Sequence, residues 1–316
     1  MTNAINTIMN LRFQLSLAAG LLFATQASVL AVGDGPRAYM LTPADSQILT
    51  AYGLFLDGNQ NLDPGATSRN LDLDVDVGVL QYTHSFSLFD NACGAFLIAP
   101  FGSTEGTFNF PLITLTGKSS GLADIQLGTV FGLYGSPSLE VADYLTYDPG
   151  FSLGLLAKLT APTGEYDENK VINLGSNRWG LQVGVPMGYY LGESFLDDDL
   201  TTFELLPSVF FFGDNADPFR AGESSQDPLF QIEAHITRNL SRMVWVSLDA
   251  NYQYGGETST DGISGNDRRE SFGLGGTIGV NLSKTLSINA TYGSVISHND
   301  NGADGHMFRV KMAYLF

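Results

Sequence analysis

The chain has 316 residues, and its 33 Asp and Glu outnumber its 15 Lys and Arg to leave a formal charge of −18. That balance excludes a nucleic-acid binder, which needs clustered cations against phosphate. Hydrophobic residues make up 44% and charged residues only 15%, yet no stretch beyond the N-terminus has eighteen consecutive apolar residues, so a membrane-spanning helix is excluded too. Apolar residues dispersed in this way fit a lipid-facing β-barrel, where greasy and polar side chains alternate; a water-soluble exported β-sandwich would give the same average.

At the N-terminus, Arg12 precedes an apolar run from Phe13 to Ala24, and small residues lead to Val29-Leu30-Ala31. This is the pattern of a secretory signal, too short for a spanning helix, with cleavage expected after Ala31 and Ala27 as the second choice. No cysteine adjoins the site, so no lipid anchor is expected. The expected division is a signal peptide over 1–31, a periplasmic N-terminal segment over 32–46 and a barrel over 47–316. Cys93 is the single cysteine and reads as a small strand residue that can form no intramolecular disulfide.

Twelve strands are predicted, over 47–56, 74–86, 92–101, 122–134, 150–161, 179–191, 202–213, 228–240, 243–256, 269–282, 285–297 and 307–316. The period of two is clearest in the second half. Trp179, Leu181, Val183, Val185, Met187, Tyr189 and Leu191 share one parity. Phe230, Ile232, Ala234 and Ile236 oppose Gln231, Glu233, His235 and Thr237. Val244, Val246 and Leu248 oppose Trp245, Ser247 and Asp249. The last segment, Met307 to Phe316, sets Phe308, Val310, Met312, Tyr314 and Phe316 against Arg309, Lys311, Ala313 and Leu315. Strands of about nine to eleven residues are what a tilted crossing of a bilayer requires, and a final aromatic strand suits the closing stave of an outer-membrane barrel.

Connections alternate in length. Reading back from the C-terminus, 298–306 is long, Ser283-Lys284 tight, 257–268 long, Ser241-Arg242 tight and 214–227 long. Then 192–201 is intermediate, 162–178 long, 135–149 longish, 102–121 long, Ser87–Asn91 short and 57–73 long. Long loops on one side and short turns on the other place both termini on the periplasmic side. The connection 135–149 is too long for an ideal periplasmic turn and has room for a short helix. Tyr82, Phe86, Trp179, Tyr189, Tyr190, Tyr252, Tyr254, Tyr314 and Phe316 sit near strand ends and are expected in interfacial girdles, with His84 beside them.

The block KLTAPTGEYDENKVINLGSNRWGLQVGVPMGYYLG at 158–192, followed by FFFGDNADPF, QDPLFQIEAHITRNLSRMVWVSLDANYQYGGET and NDRRESFGLGG, resembles the outer-membrane family named after the meta-pathway of phenol degradation. The resemblance runs from about Arg37 to Phe316. It implies a barrel and a role in moving aromatic or other apolar compounds, and it supplies no site residues.

Parity assigns Lys158, Gln182, Glu204, Glu233, His235, Asp249, Asn251, Gln253, Arg309 and Lys311 to the lumen. They would either select solutes or fill a narrow interior with paired charges. Arg309 and Lys311 are expected to face carboxylates such as Glu233 or Asp249. The loop 162–178, with Glu165, Asp167, Asn173 and Arg178, is either a constriction folded inward or a solvated external loop. Asp214, Asp217, Glu223 and Asp227 lack the spacing of a twelve-residue calcium loop, and His298 and His306 beside Asp300 and Asp304 make a weak metal reading. There is no H-E-x-x-H motif, and the enzyme motifs in general fare poorly, so neither an enzyme nor a cofactor is expected. The function expected is passive diffusion of small, aromatic or hydrophobic solutes through an outer-membrane channel. The alternative is a structural or adhesion barrel with a filled lumen and partner-binding acidic loops. Expected partners are outer-membrane lipid and lipopolysaccharide, the barrel-assembly machinery and a small apolar or aromatic solute.

Overall fold

Antiparallel strands pair in a ring, and every side chain of the ring faces either outward or into the lumen. The structure, a computed structural model, describes residues 33–68, 70–109 and 113–316; the signal peptide expected over 1–31, with its cleavage sites, lies outside them. The elements are β1 (Gln47–Gly58), β2 (Leu71–Leu88), β3 (Asn91–Asn109), β4 (Thr114–Leu122), β5 (Ile125–Tyr134), α1 (Val141–Tyr144), β6 (Phe151–Ala161), β7 (Gly180–Gly184), β8 (Met187–Leu191), β9 (Thr201–Phe212), β10 (Ser224–Gln226), β11 (Leu229–Asn239), β12 (Val244–Gly255), β13 (Thr258–Thr260), β14 (Ile263–Ser264), β15 (Arg269–Asn281), β16 (Leu286–His298) and β17 (Gly305–Leu315).

β4 and β5 both pair with β3, and β7 and β8 both pair with β6 and β9, so each couple is one stave with a break in it. The second break falls at Val185-Pro186, where proline has no amide to give to the ladder. Counted this way, the barrel has the twelve strands read from the periodicity. β17 closes it against β1, from Ile48↔Leu315 to Gly58↔Gly305, and the Phe316 amide donates to the Gln47 carbonyl at 3.0 Å. Closure matters because an unpaired backbone group in lipid costs several kcal/mol.

Leu49, Leu80, Leu248, Ile278, Tyr292 and Phe308 are exposed on the outside, whereas Gln81, Thr83, Gln231, Asp249, Gln253 and Thr291 are buried inside. This inversion of a soluble protein's burial is what the alternation implied. Tyr190, expected in a girdle, is corrected: its even parity turns it into the lumen, where it is 5% exposed and meets Phe195 edge-on. The long loop expected over 102–121 is instead a tall hairpin of β3 and β4, paired from Phe101↔Leu122 to Asn109↔Thr114. β2 and β3, at 18 and 19 residues, are longer than a crossing needs. Along the extracellular half of β2, Leu73, Val75 and Val77 face inward while Asp72, Asp74 and Asp76 face outward.

On the periplasmic side the turns at 89–90, 240–243 and 282–285 are short. The two longer connections build a cap. α1 lies in the 135–149 connection, where Tyr144 stacks on Phe195 from the 192–200 connection at 5.2 Å between ring centres. With Leu200, Tyr190, Met40 and Leu41 they form a buried apolar cluster. Outside, β10, β13 and β14 make a small sheet over the extracellular mouth.

Candidate functional site

The segment after the expected signal, read as a periplasmic lead-in, runs inside the periplasmic half of the lumen. Gly33 and Gly35 adopt φ of +57° and +90°, and a Cβ on either would sit 1.9 Å from Glu233 Cδ or 2.3 Å from Arg309 Nη2; only glycine fits this turn and this approach. Asp34, fully buried, pairs with Lys158 at 3.3 Å and donates its amide to Glu233 at 2.6 Å. The Tyr39 hydroxyl donates to Asp34. The Arg37 amide donates to Glu204 at 2.7 Å. Its guanidinium reaches Thr237 at 3.1 Å and Asn239 at 2.7 Å, and lies 4.5 Å over the Trp245 ring. Burial pulls the Arg37 guanidinium down to about 10, against the opposing pull of Glu204, so it stays charged at neutral pH. Burial and the nearby Asp34 carboxylate push the Tyr39 phenol well above its ordinary value. The Tyr144 hydroxyl ties the Leu41 carbonyl at 3.1 Å, and the Ala44 amide donates to Leu139.

The ten residues that parity assigned to the lumen all face it. His235 Nδ1 meets Asp249 at 2.8 Å, its other ring nitrogen lies 3.9 Å from Glu233, and Asp249 also accepts from Ser247 and Thr277. Gln182 donates to Ser208 at 3.1 Å and Gln253 to Gln231 at 2.9 Å. Asn251 and Lys311 are buried beside them. Arg309 donates to the Gly33 carbonyl at 3.1 Å. The N-terminal segment adds partners where the last-strand cations were expected to face Glu233 or Asp249: its Gly33 carbonyl accepts from Arg309 and its Asp34 amide donates to Glu233, which also keeps Gln231 and His235. The interior is also two-sided. Opposite this polar wall, Leu54, Leu56, Val75, Val77, Val79 and Ile98 are buried as one apolar cluster.

At the extracellular mouth the loop 162–178 folds inward. Asp124 accepts the Gly164 amide at 2.8 Å and the Ser176 amide and hydroxyl at 2.8 and 2.5 Å. Ile172 and Leu174, buried with Leu62, join the apolar cluster. Arg178 donates twice to one oxygen of Asp63, at 2.7 and 3.1 Å, once to Gln226 at 2.7 Å, and lies 4.5 Å over Phe212. Arg269 grips the same 59–68 stretch through the Pro64 and Gly65 carbonyls at 2.7 and 2.8 Å. Of the four residues singled out on this loop, Arg178 is tied across the mouth to Asp63 and Gln226. Asn173 braces the loop through Asp167, Lys170 and Asn61, the Asp167 side chain caps Asn169, and Glu165 is exposed. Asp34, Arg37, Asp63, Asp124 and Arg269 were missed. The glycine-aspartate-glycine-proline string at 33–36 signals a built turn; Arg37 and Asp63 lie in segments without periodicity, and Asp124 and Arg269 stand at the starts of predicted strands, where parity assigns nothing. Cys93 is buried and free.

A closed ring with grease outside, charge within and both mouths folded over defines a channel-like barrel of the bacterial outer membrane, sitting in lipid and lipopolysaccharide. The chain belongs to the family described as "Putative MetA-pathway of phenol degradation", which matches residues 57–311. Among solved structures, the COG4313 outer membrane channel from Pseudomonas putida F1 is similar with a TM-score of 0.73 at 21% identity, over 89% of this chain and 99% of that one. The KdgM porin in complex with disordered oligogalacturonate has a TM-score of 0.45 at 9% identity, over 84% and 98%. The beta domain of the Bordetella autotransporter BrkA has 0.48 at 12%, over 86% and 100%. No curated protein sequence matches the chain.

Proposed function

We propose that this barrel is a gated channel for passive diffusion of small amphipathic solutes, closed at its periplasmic half by residues 33–44. The observation that carries this is the N-terminal segment. Hydrogen bonds and an ion pair bind residues 33–39 into the lumen, Met40 and Leu41 pack in the periplasmic apolar cluster, and none of the barrel strands includes the segment, so its departure leaves the ring of strands closed. The two-sided interior supports the solute class. Leu54, Val77 and Ile98 offer an apolar track, and Lys158, Gln182, Glu204, Glu233, His235, Asp249, Asn251, Gln253, Arg309 and Lys311 offer polar and charged groups along the other wall. A wholly apolar aromatic would leave that second wall unserved, and burying polar groups without partners is costly.

The experiment is single-channel recording in planar bilayers. The intact chain should be closed for most of the record, and a chain lacking residues 33–44 should conduct steadily, with solute uptake into liposomes rising in step. Silence from both would end the channel reading.

A second reading is favoured by one observation: side chains and the N-terminal segment fill the lumen of the described chain. A structural or adhesion barrel would look the same. It predicts that the shortened chain stays silent and that loss of the acidic loops impairs attachment to a surface or partner.

A further inference from the structure

An opening in the extracellular face lies between the loop 59–68, the inward loop 162–178 and the small sheet of β10 and β13. It has a volume of about 330 Å³, enough for a compound of one ring. One side is apolar: Leu71, Leu73 and Phe108 from the extracellular ends of β2 and β3, and Ile172 from the loop. The opposite side is formed by Ser225 and Thr258, the Thr258 hydroxyl donating to Asp267 at 2.6 Å. Its charge differs from that of the molecule. Acids outnumber bases 33 to 15 in the whole chain, but the walls of this cavity carry two cations, Lys170 and Arg178, against one carboxylate, Asp63. Asp63 is already committed to Arg178. Lys170 is half-buried at the wall, and no carboxylate of the described residues lies within 4.0 Å of its ammonium.

We infer that this vestibule is a capture site for small organic monoanions with an apolar body, such as a carboxylate on a single ring. The ring would lie on Leu73, Phe108 and Ile172, and the anion would be held by Lys170 in the cavity that the Arg178–Asp63 pair also lines. A half-buried ammonium facing an apolar wall favours a charged partner more than a solvated one does, because the local dielectric is lower. A neutral solute would leave that charge unused, and a cation would be repelled. The surplus acids do not undo this. Asp72, Asp74 and Asp76 point away on the outer face of β2, and Asp167, the carboxylate that interacts with Lys170, is engaged by Asn169 and lies outside the cavity wall. The inference narrows the solute class of the channel reading and rests on it for its biological sense, but not for its measurement.

Binding of benzoate, benzyl alcohol and benzylamine to the full chain in non-ionic detergent is the test, by calorimetry or saturation-transfer NMR. Benzoate should bind about tenfold tighter than benzyl alcohol, the discrimination one charge-assisted contact supplies, and benzylamine weakest. Lys170→Gln should bring benzoate to the level of benzyl alcohol and leave benzyl alcohol unchanged, whereas Lys170→Arg should keep the preference. Equal binding of the three, no binding of benzoate, a preference for benzylamine, or a benzoate affinity indifferent to Lys170→Gln each overturns the inference. Benzoate preference in a protein that never conducts would retain the capture site and remove the channel.

Discussion

Single residues carry the closures at both mouths. Gly33 shows it most sharply, with φ at +57° and no room for a Cβ beside Glu233. A β-branched residue there faces backbone strain of roughly 1–2 kcal/mol plus a collision with a side chain fixed by its own bonds. Gly33→Val should therefore expel the N-terminal segment and conduct like the chain lacking 33–44, while the barrel itself still migrates as a folded species on unheated gels. A closed channel in that variant would mean the segment holds on without the Gly33–Glu233 approach. Asp124 is the counterpart outside. Its three charge-assisted bonds to Gly164 and Ser176 are each worth more than a neutral bond. Asp124→Ala should free the loop, read as faster proteolysis within 163–177 on intact cells with strand protection unchanged. Loss of the whole barrel to protease would instead make Asp124 a folding residue.

At the scale of elements, the alternation of residues made most of the barrel legible. β11, β12 and β17 were readable to within a residue or two because one face meets lipid and the other meets water, a contrast that a period of two records directly. β2 shows where that logic misleads. Leu73, Val75 and Val77 alternate with acids, and the greasy parity would be taken as lipid-facing, yet it faces inward. The outward acids mark water on that side of the stretch, and inside it meets a packed apolar cluster. The parity shared with Gln81, Thr83 and Ser85 lower on the same strand was the available clue. Nothing periodic marked the N-terminal segment, whose place is set by partners some two hundred residues away, such as Arg37 with Thr237. The 135–149 connection, too long for an ideal turn, owes its length to the cap. Tyr144 stacks on Phe195 and holds the Leu41 carbonyl, and removing a buried aromatic costs on the order of 3–5 kcal/mol. Tyr144→Ala should loosen the segment below it, giving brief openings in bilayer recordings where the intact chain has few. An unchanged record would show that the cap and the gate act separately.

For the whole molecule, the decisive property is that its two surfaces have exchanged roles. Outside, Ile278 on β15 and Leu282 just after it are each 52% exposed, a state that would be a liability in water and is required in lipid. The two differ in depth: Ile278 lies within the strand opposite Val246, and Leu282 lies just past its periplasmic end. A cation on the lipid face costs about 2–4 kcal/mol at the bilayer midplane and close to nothing near the interface. Ile278→Arg should thus lower the stability of the barrel in liposomes, measured by urea unfolding, by that amount, and Leu282→Arg by less than about 1 kcal/mol. Depth is the variable no soluble fold has. A β-sandwich with the same exposed residues would accept arginine at both positions alike, since both would already be in water. Equal tolerance at the two sites would therefore remove the bilayer from the outside of this ring, whereas a graded cost would measure how deep in the lipid each residue stands.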